Sequence, residues 1–130
     1  VPVDTAAFVA SMRAVVTDPL LAARLDLAGE LTQHRNAGEI DQRIGTGLSA
    51  CESVPAANRA FLCHPDSFPD AVVLAISLGG DADSIASMTG AISGALLGET
   101  SIPTRWLERT IVAARDVALA DALYSVVVQH

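Results

Sequence analysis

Apolar positions recur every three or four residues along most of the chain, and the two-residue alternation of a half-buried strand is almost absent. Phe8, Met12 and Val15 share one helical face behind a cap at Asp4 or Thr5, predicting a helix to about Val16. Asp18-Pro19 is a cap followed by proline at the first helical position and opens a second helix, to about His34. Positions 36–47 are loop-like at their ends, with glycines at 38, 45 and 47. A third helix is predicted from about Leu48 to Leu62. Pro55 lies inside it, and an interior proline costs about 3 kcal/mol, so a kink or a start near Ser53 is expected. Ser67-Phe68-Pro69-Asp70 opens a fourth helix, with an acid three residues after the capping serine, ending at Gly79. A fifth runs from about Asp83 to Leu97 with Gly98 just past its end. Pro103 or Thr104 begins a short segment around Trp106. A last helix is predicted from about Glu108 to Val127, burying Ile111, Ala114, Ala118, Leu119 and Ala122. Val126-Val127-Val128 is β-branched but terminal, and is read as helix. The pattern is that of an all-α protein.

The fifth helix carries Gly90 and Gly94 in step with Gly98, and Ala86 one turn earlier. An interior glycine costs about 1 kcal/mol relative to alanine, so the repeat must permit something. Spacing of four places these residues on one face, which predicts close approach by the backbone of a neighbouring helix.

Composition narrows the picture. With 130 residues, 51% of them hydrophobic, the chain reads as one globular unit over residues 1–130, long enough to bury about two thirds of its surface. A net charge of −7 argues against a nucleic-acid platform. All the basic residues are arginine, which carries no functional weight. Cys51 and Cys63 have no metal-type neighbours and read as reduced core thiols. His34, His64 and His130 are isolated and receive no role. No signal peptide precedes Val1 and no apolar run reaches about 20 residues, so a cytoplasmic protein without membrane contact is expected.

Candidate chemistry concentrates in Gly79-Gly80-Asp81-Ala82-Asp83-Ser84, set between the apolar run 71–78 and the small, apolar run Ile85 to Leu97. Two carboxylates about 5 Å apart repel by about 3 kcal/mol at an effective dielectric of 20. Burial raises that cost unless a cation or hydrogen-bond donors offset it. The glycines allow positive φ, and the acids then fall at the start of the fifth helix. One of them could simply cap that helix. Three oxygen-bearing side chains at one helix start also suit a hard divalent cation. An EF-hand is excluded, since Ile85, Ala86 and Ile92 stand where it needs an acidic or amide residue, Gly and Glu. A P-loop is excluded because no Gly-Lys-Ser/Thr follows the glycines. Upstream, Gly45-Thr46-Gly47-Leu48 precedes a helix and reads either as a plain turn or as a cradle offering N–H groups to a phosphate or ribose. Glu52 is the only acid in the helix that follows, and no catalytic role is assigned to it.

Three ordered blocks carry a family resemblance. Ile76-Ser-Leu-Gly-Gly-Asp-Ala-Asp-Ser-Ile-Ala-Ser-Met-Thr-Gly-Ala-Ile-Ser-Gly-Ala-Leu-Leu-Gly98 resembles the C-terminal signature of the ADP-ribosylglycohydrolases. Ile44-Gly-Thr-Gly-Leu-Ser-Ala-Cys-Glu-Ser-Val-Pro-Ala-Ala57 is similar to a second block of that family. Pro103 and Trp106 resemble its Pro-x-x-Trp. The wording is most similar to the branch acting on serine-linked ADP-ribose.

The resemblance implies an all-α orthogonal multi-helix bundle whose complete site holds two Mg²⁺ (or Mn²⁺) ions in a cleft for ADP-ribose. It implies Asp81, Asp83 and Ser84 as metal ligands, Ser84 standing where the family usually has Thr, and places Gly45, Gly47 and Leu48 at the border of the cleft. The family's N-terminal Ser/Thr-Asp-Asp motif has no counterpart here, because no two Asp residues are adjacent. The chain is therefore expected to be the C-terminal half of a larger domain, with the other half supplied in cis or in trans. Its substrate would be ADP-ribosylated protein or a related conjugate, and alone it is expected to be inactive. The alternative is a non-catalytic all-α binding or interaction module that keeps the fold without a complete site.

Overall fold

The computed structural model describes residues 2–33, 42–110 and 113–128, and these form an all-α bundle. Its helices are α1 (Thr5–Arg13), α2 (Pro19–Glu30), α3 (Ala50–Cys63), α4 (Phe68–Ser77), α5 (Ala82–Leu97), α6 (Thr104–Leu107) and α7 (Ala113–Val128). Single 3₁₀ turns follow α2 at Leu31–Gln33 and α5 at Glu99–Ser101. His34 and His130 lie outside the described residues, as do positions 36–41 of the expected loop and Ile111.

Most helix starts follow local chemistry. The Asp4 carboxylate accepts from the Ala7 N–H at 3.0 Å and that of Asp18 from Leu21 N–H at 2.8 Å, each meeting a donor that has no partner inside the helix. Ser67 precedes α4, but its hydroxyl donates to the Asp70 carboxylate at 2.6 Å and does not accept from the backbone. Two helices end earlier than their spacing predicts. α1 stops at Arg13, leaving Val15 exposed, and α2 stops at Glu30.

α3 is the central helix and packs against α2, α4 and α5. It is buried almost all round from Ser53 to Leu62, as expected of a helix enclosed by others. Ala56, Ala57 and Ala60 let its neighbours approach, and with Ala28, Leu31, Ile44, Ala75, Leu78 and Ile85 they make up the main core. Phe61 is buried, worth about 1.5–3 kcal/mol for such a side chain, and its ring meets Phe8 of α1 at 5.3 Å between centroids. Arg59 is also buried, and its Nε donates to the Leu31 carbonyl at 3.1 Å, which ties the end of α2 to α3.

Pro55 neither starts α3 nor displaces its cap. The helix begins at Ala50 with Ser49 as cap, not near Ser53. Proline at 55 removes the N–H that would bond to the Cys51 carbonyl. Arg24 of α2 takes that place, its Nη1 donating to the Cys51 oxygen at 3.1 Å.

The glycine face of α5 meets an aromatic side chain, not a backbone. A Cβ built on Gly90 would lie 3.7 Å from the Phe68 ring and 3.8 Å from Val72 Cγ2, and one on Gly94 would lie 3.7 Å from Phe68. Phe68 in turn meets Trp106 of α6 at 6.2 Å between centroids, so its ring lies between α5 and the short helix.

α7 departs most from expectation. Ala118, Leu119 and Ala122 are exposed, and so are Leu123, Tyr124 and Val126 to Val128. The spacing that marked a buried face is present, but no described residue covers it. Ala114 lies among residues whose side chains are not described.

Candidate functional site

Two loops far apart in sequence meet at one point. Gly79 and Gly80 adopt φ of 75° and 61°, the left-handed region that residues with side chains avoid. Gly80 is also pressed against the upstream glycine loop, where a Cβ would overlap the Thr46 carbonyl oxygen and hydroxyl. That contact lets the Asp81 N–H donate to the Thr46 carbonyl at 2.7 Å. The Gly45-Thr46-Gly47 turn is thus docked on the acidic loop, with Thr46 buried beneath it.

The helices behind the loops continue the pairing. α3 follows the first loop and α5 the second, and seven residues into each the Thr89 hydroxyl bonds to the Ala57 carbonyl at 3.2 Å. The helices therefore run side by side in the same direction, with both N-termini at the junction. Positive helix ends there favour ionised carboxylates.

Asp81 occupies the cap position of α5 but makes no capping hydrogen bond through its side chain. Capping therefore does not account for its carboxylate. The Asp83 carboxyl is held below the usual carboxylate range, first by its hydrogen bond with the Asp81 side chain and then by the N–H groups of Ser84 and of Asp83 itself. Two carboxylates placed together repel, and an opposite charge beside them offsets that repulsion. Asp83 and Ser84 are exposed and Asp81 is half-buried, so the pair opens to solvent. The donor set is all oxygen, and the Asp81 carboxylate in it makes no capping bond, which fits a hard divalent cation. It supplies only part of a coordination sphere. Among the described residues, no three His, Cys, Asp or Glu side chains gather into a complete metal centre.

Glu52 is the residue the sequence reading undervalued. Its Oε2 accepts from the Gly47 N–H at 2.8 Å, and its Oε1 lies 3.7 Å from Arg24 Nη1. The Gly47 N–H is therefore engaged within the protein, and a phosphate at this loop would meet other groups. Leu48 projects outward, 86% exposed. The signal for Glu52 was legible: Ser49-x-x-Glu52 is the capping-box pattern.

Fold and site together define an all-α protein with a paired acidic loop seated on a glycine turn, exposed at the joint start of two parallel helices. The chain belongs to the ADP-ribosylglycohydrolase family, whose model matches residues 3–130. It is 36% identical to the ADP-ribosylhydrolase ARH3 of Bos taurus over 117 residues, covering 81% of this chain and 32% of that protein. It is 39% identical to the ADP-ribosylarginine hydrolase Tri1 of Serratia proteamaculans over 93 residues, covering 68% of this chain and 25% of that protein. An uncharacterised protein of Archaeoglobus fulgidus is 37% identical over 91 residues, covering 70% of this chain and 28% of that protein. The chain thus spans about a third or less of the length of these relatives. No solved structure matches it significantly. Among the described residues, no helix is long and apolar enough to cross a membrane.

Proposed function

We propose that this chain supplies the metal-binding loop and one wall of the substrate cleft in a hydrolase that removes ADP-ribose from modified protein side chains or related conjugates. The observation that carries the reading is the junction itself, where the Asp81–Asp83 pair is held on the Gly45–Gly47 turn by the 2.7 Å bond from Asp81 to Thr46. Family membership and relatives named as ADP-ribosylhydrolases supply the reaction class. Asp81, Asp83 and Ser84 would hold Mg²⁺ or Mn²⁺, one of two ions in the complete site. The bound metal would stabilise charge on the ribose as its link to the protein breaks. Gly45, Gly47 and Leu48 would border the sugar, the turn keeping its position through Glu52 and the exposed Leu48 offering an apolar surface.

Mg²⁺ takes six oxygens, and three residues of this chain provide about half of them. The remainder would come from an Asp-Asp motif outside these residues, in cis or in trans. The uncovered apolar surface of α7 supports a partner of that kind. The test is release of free ADP-ribose from ADP-ribosylated protein in millimolar Mg²⁺. The 130 residues alone are expected to show no turnover, while adding the acidic region is expected to give turnover that Asp83→Ala abolishes. Turnover by this chain alone that survives Asp83→Ala would place the chemistry elsewhere. No turnover even with the acidic region would favour a binding module.

A further inference from the structure

We propose that Arg24 and Glu52 form a positioning unit for the acidic loop, clamping the peptide between Thr46 and Gly47 so that its other end fixes Asp81. The two hydrogen bonds involved belong to one planar group. Glu52 Oε2 accepts from the Gly47 N–H at 2.8 Å, and the carbonyl of that same peptide unit, on Thr46, accepts from the Asp81 N–H at 2.7 Å. A peptide is rigid about its C–N bond, and the described residues contain no cis peptide, so N–H and C=O point in opposite directions. Holding one end therefore orients the other.

The sequence is arranged to let Glu52 reach this peptide. A glutamate three residues after a capping serine ordinarily turns back to the N–H of the cap residue. Here it passes Ser49 and reaches Gly47. The glycines make room for it: a Cβ on Gly45 would lie 2.7 Å from Glu52 Cγ and Cδ, and one on Gly47 would strike Oε2. Arg24 secures the other side of the carboxylate. Its Nη1 lies 3.7 Å from Glu52 Oε1 and donates to the Cys51 carbonyl, which Pro55 deprives of the usual N–H donor four residues on. Proline, arginine, glutamate and two glycines thus serve one contact. Both charged side chains are partly buried, where a charge-assisted hydrogen bond is stronger than a neutral one.

The consequence for an ion rests on the metal reading above; the geometry does not. Two measurements separate them, amide hydrogen exchange by NMR on the metal-free chain and binding of Mn²⁺ to the same chain. Glu52→Ala is expected to speed exchange of the Asp81 N–H at least tenfold, with exchange in the α4 interior unchanged, and to weaken Mn²⁺ at least fivefold. Glu52→Gln keeps an acceptor for the Gly47 N–H and is expected to hold both values within about threefold of the parent. That rescue distinguishes positioning from general destabilisation. Arg24→Met, which leaves the Glu52 acceptor in place, is expected to give a smaller increase in Asp81 exchange than Glu52→Ala. Asp81 exchange that is equal in parent and Glu52→Ala overturns the proposal, as does Glu52→Gln matching Glu52→Ala. If Glu52→Ala does not fold, a folded Glu52→Gln with protected Asp81 upholds the proposal, and one with Asp81 exchanging tenfold faster overturns it. A parent chain that binds no Mn²⁺ counts against the metal reading, and the exchange comparison still decides the role of Glu52.

Discussion

Adjacent glycines in the acidic loop are constrained in different ways, and substitution should separate them. Gly79 has φ of 75° but nothing within 4 Å of a built Cβ, whereas Gly80 combines φ of 61° with the Thr46 carbonyl in the same space. Gly79→Ala is therefore expected to cost about 1–2 kcal/mol, the usual penalty for left-handed backbone with a side chain. Gly80→Ala is expected to cost that and more, because the Thr46 turn must move and the Asp81 bond must lengthen. Urea denaturation of the two variants checks the order, and equal costs would mean that the turn yields freely. The sequence made the need for positive φ legible at both positions, since a double glycine before a helix has few other uses. It could not show which of them carries the second loop, because that depends on a contact with residues far upstream.

Among the helices, the spacing of the α5 glycine stripe predicts a seat for another backbone, and the structure puts the Phe68 ring there instead. Ordinary van der Waals distance remains at Gly94, where a Cβ would lie 3.7 Å from Phe68 and near nothing else. Gly94→Ala should therefore stabilise the protein by about 1 kcal/mol, since alanine removes the backbone cost of interior glycine without overpacking. A rise in the urea midpoint with unchanged slope is the expected result, and a fall would restore the close-approach explanation. Local chemistry made these element boundaries legible: Asp4, Asp18 with Pro19, and Gly98 after α5 all act as the sequence indicates. Pro55 was harder to read, because its accommodation depends on an arginine from α2. Ser67 was right as a boundary and wrong in detail, since its hydroxyl bonds to Asp70. Asp81, Asp83 and the glycine turn could be picked out as candidates, but their junction belongs to tertiary structure.

At the scale of the whole molecule, α7 shows the limit of periodicity, which reports that a face is apolar and says nothing of what covers it. Leu119, Leu123 and Val127 are 66%, 64% and 65% exposed, on a helix that, among the described residues, barely touches the others. Replacing all three by serine should leave the melting temperature of the body within about 2 °C, because little buried area is lost, and should reduce aggregation measured by light scattering. A large drop in melting temperature would show that α7 is packed in solution. The pairing of α3 with α5 bears on how the protein folds. The Thr46–Gly47 peptide can join Asp81 only once the chain through α3 and α4 has folded back on itself, since α3 and α4 lie between the two loops in the chain. Secondary structure alone does not create the junction. A folding intermediate with helices formed but α3 and α5 undocked would look native by far-ultraviolet circular dichroism and still lack the arrangement proposed to hold an ion. An ion selective for the finished junction would then act as a thermodynamic latch on the last step of assembly, adding about 2.7 kcal/mol at a hundred times its dissociation constant.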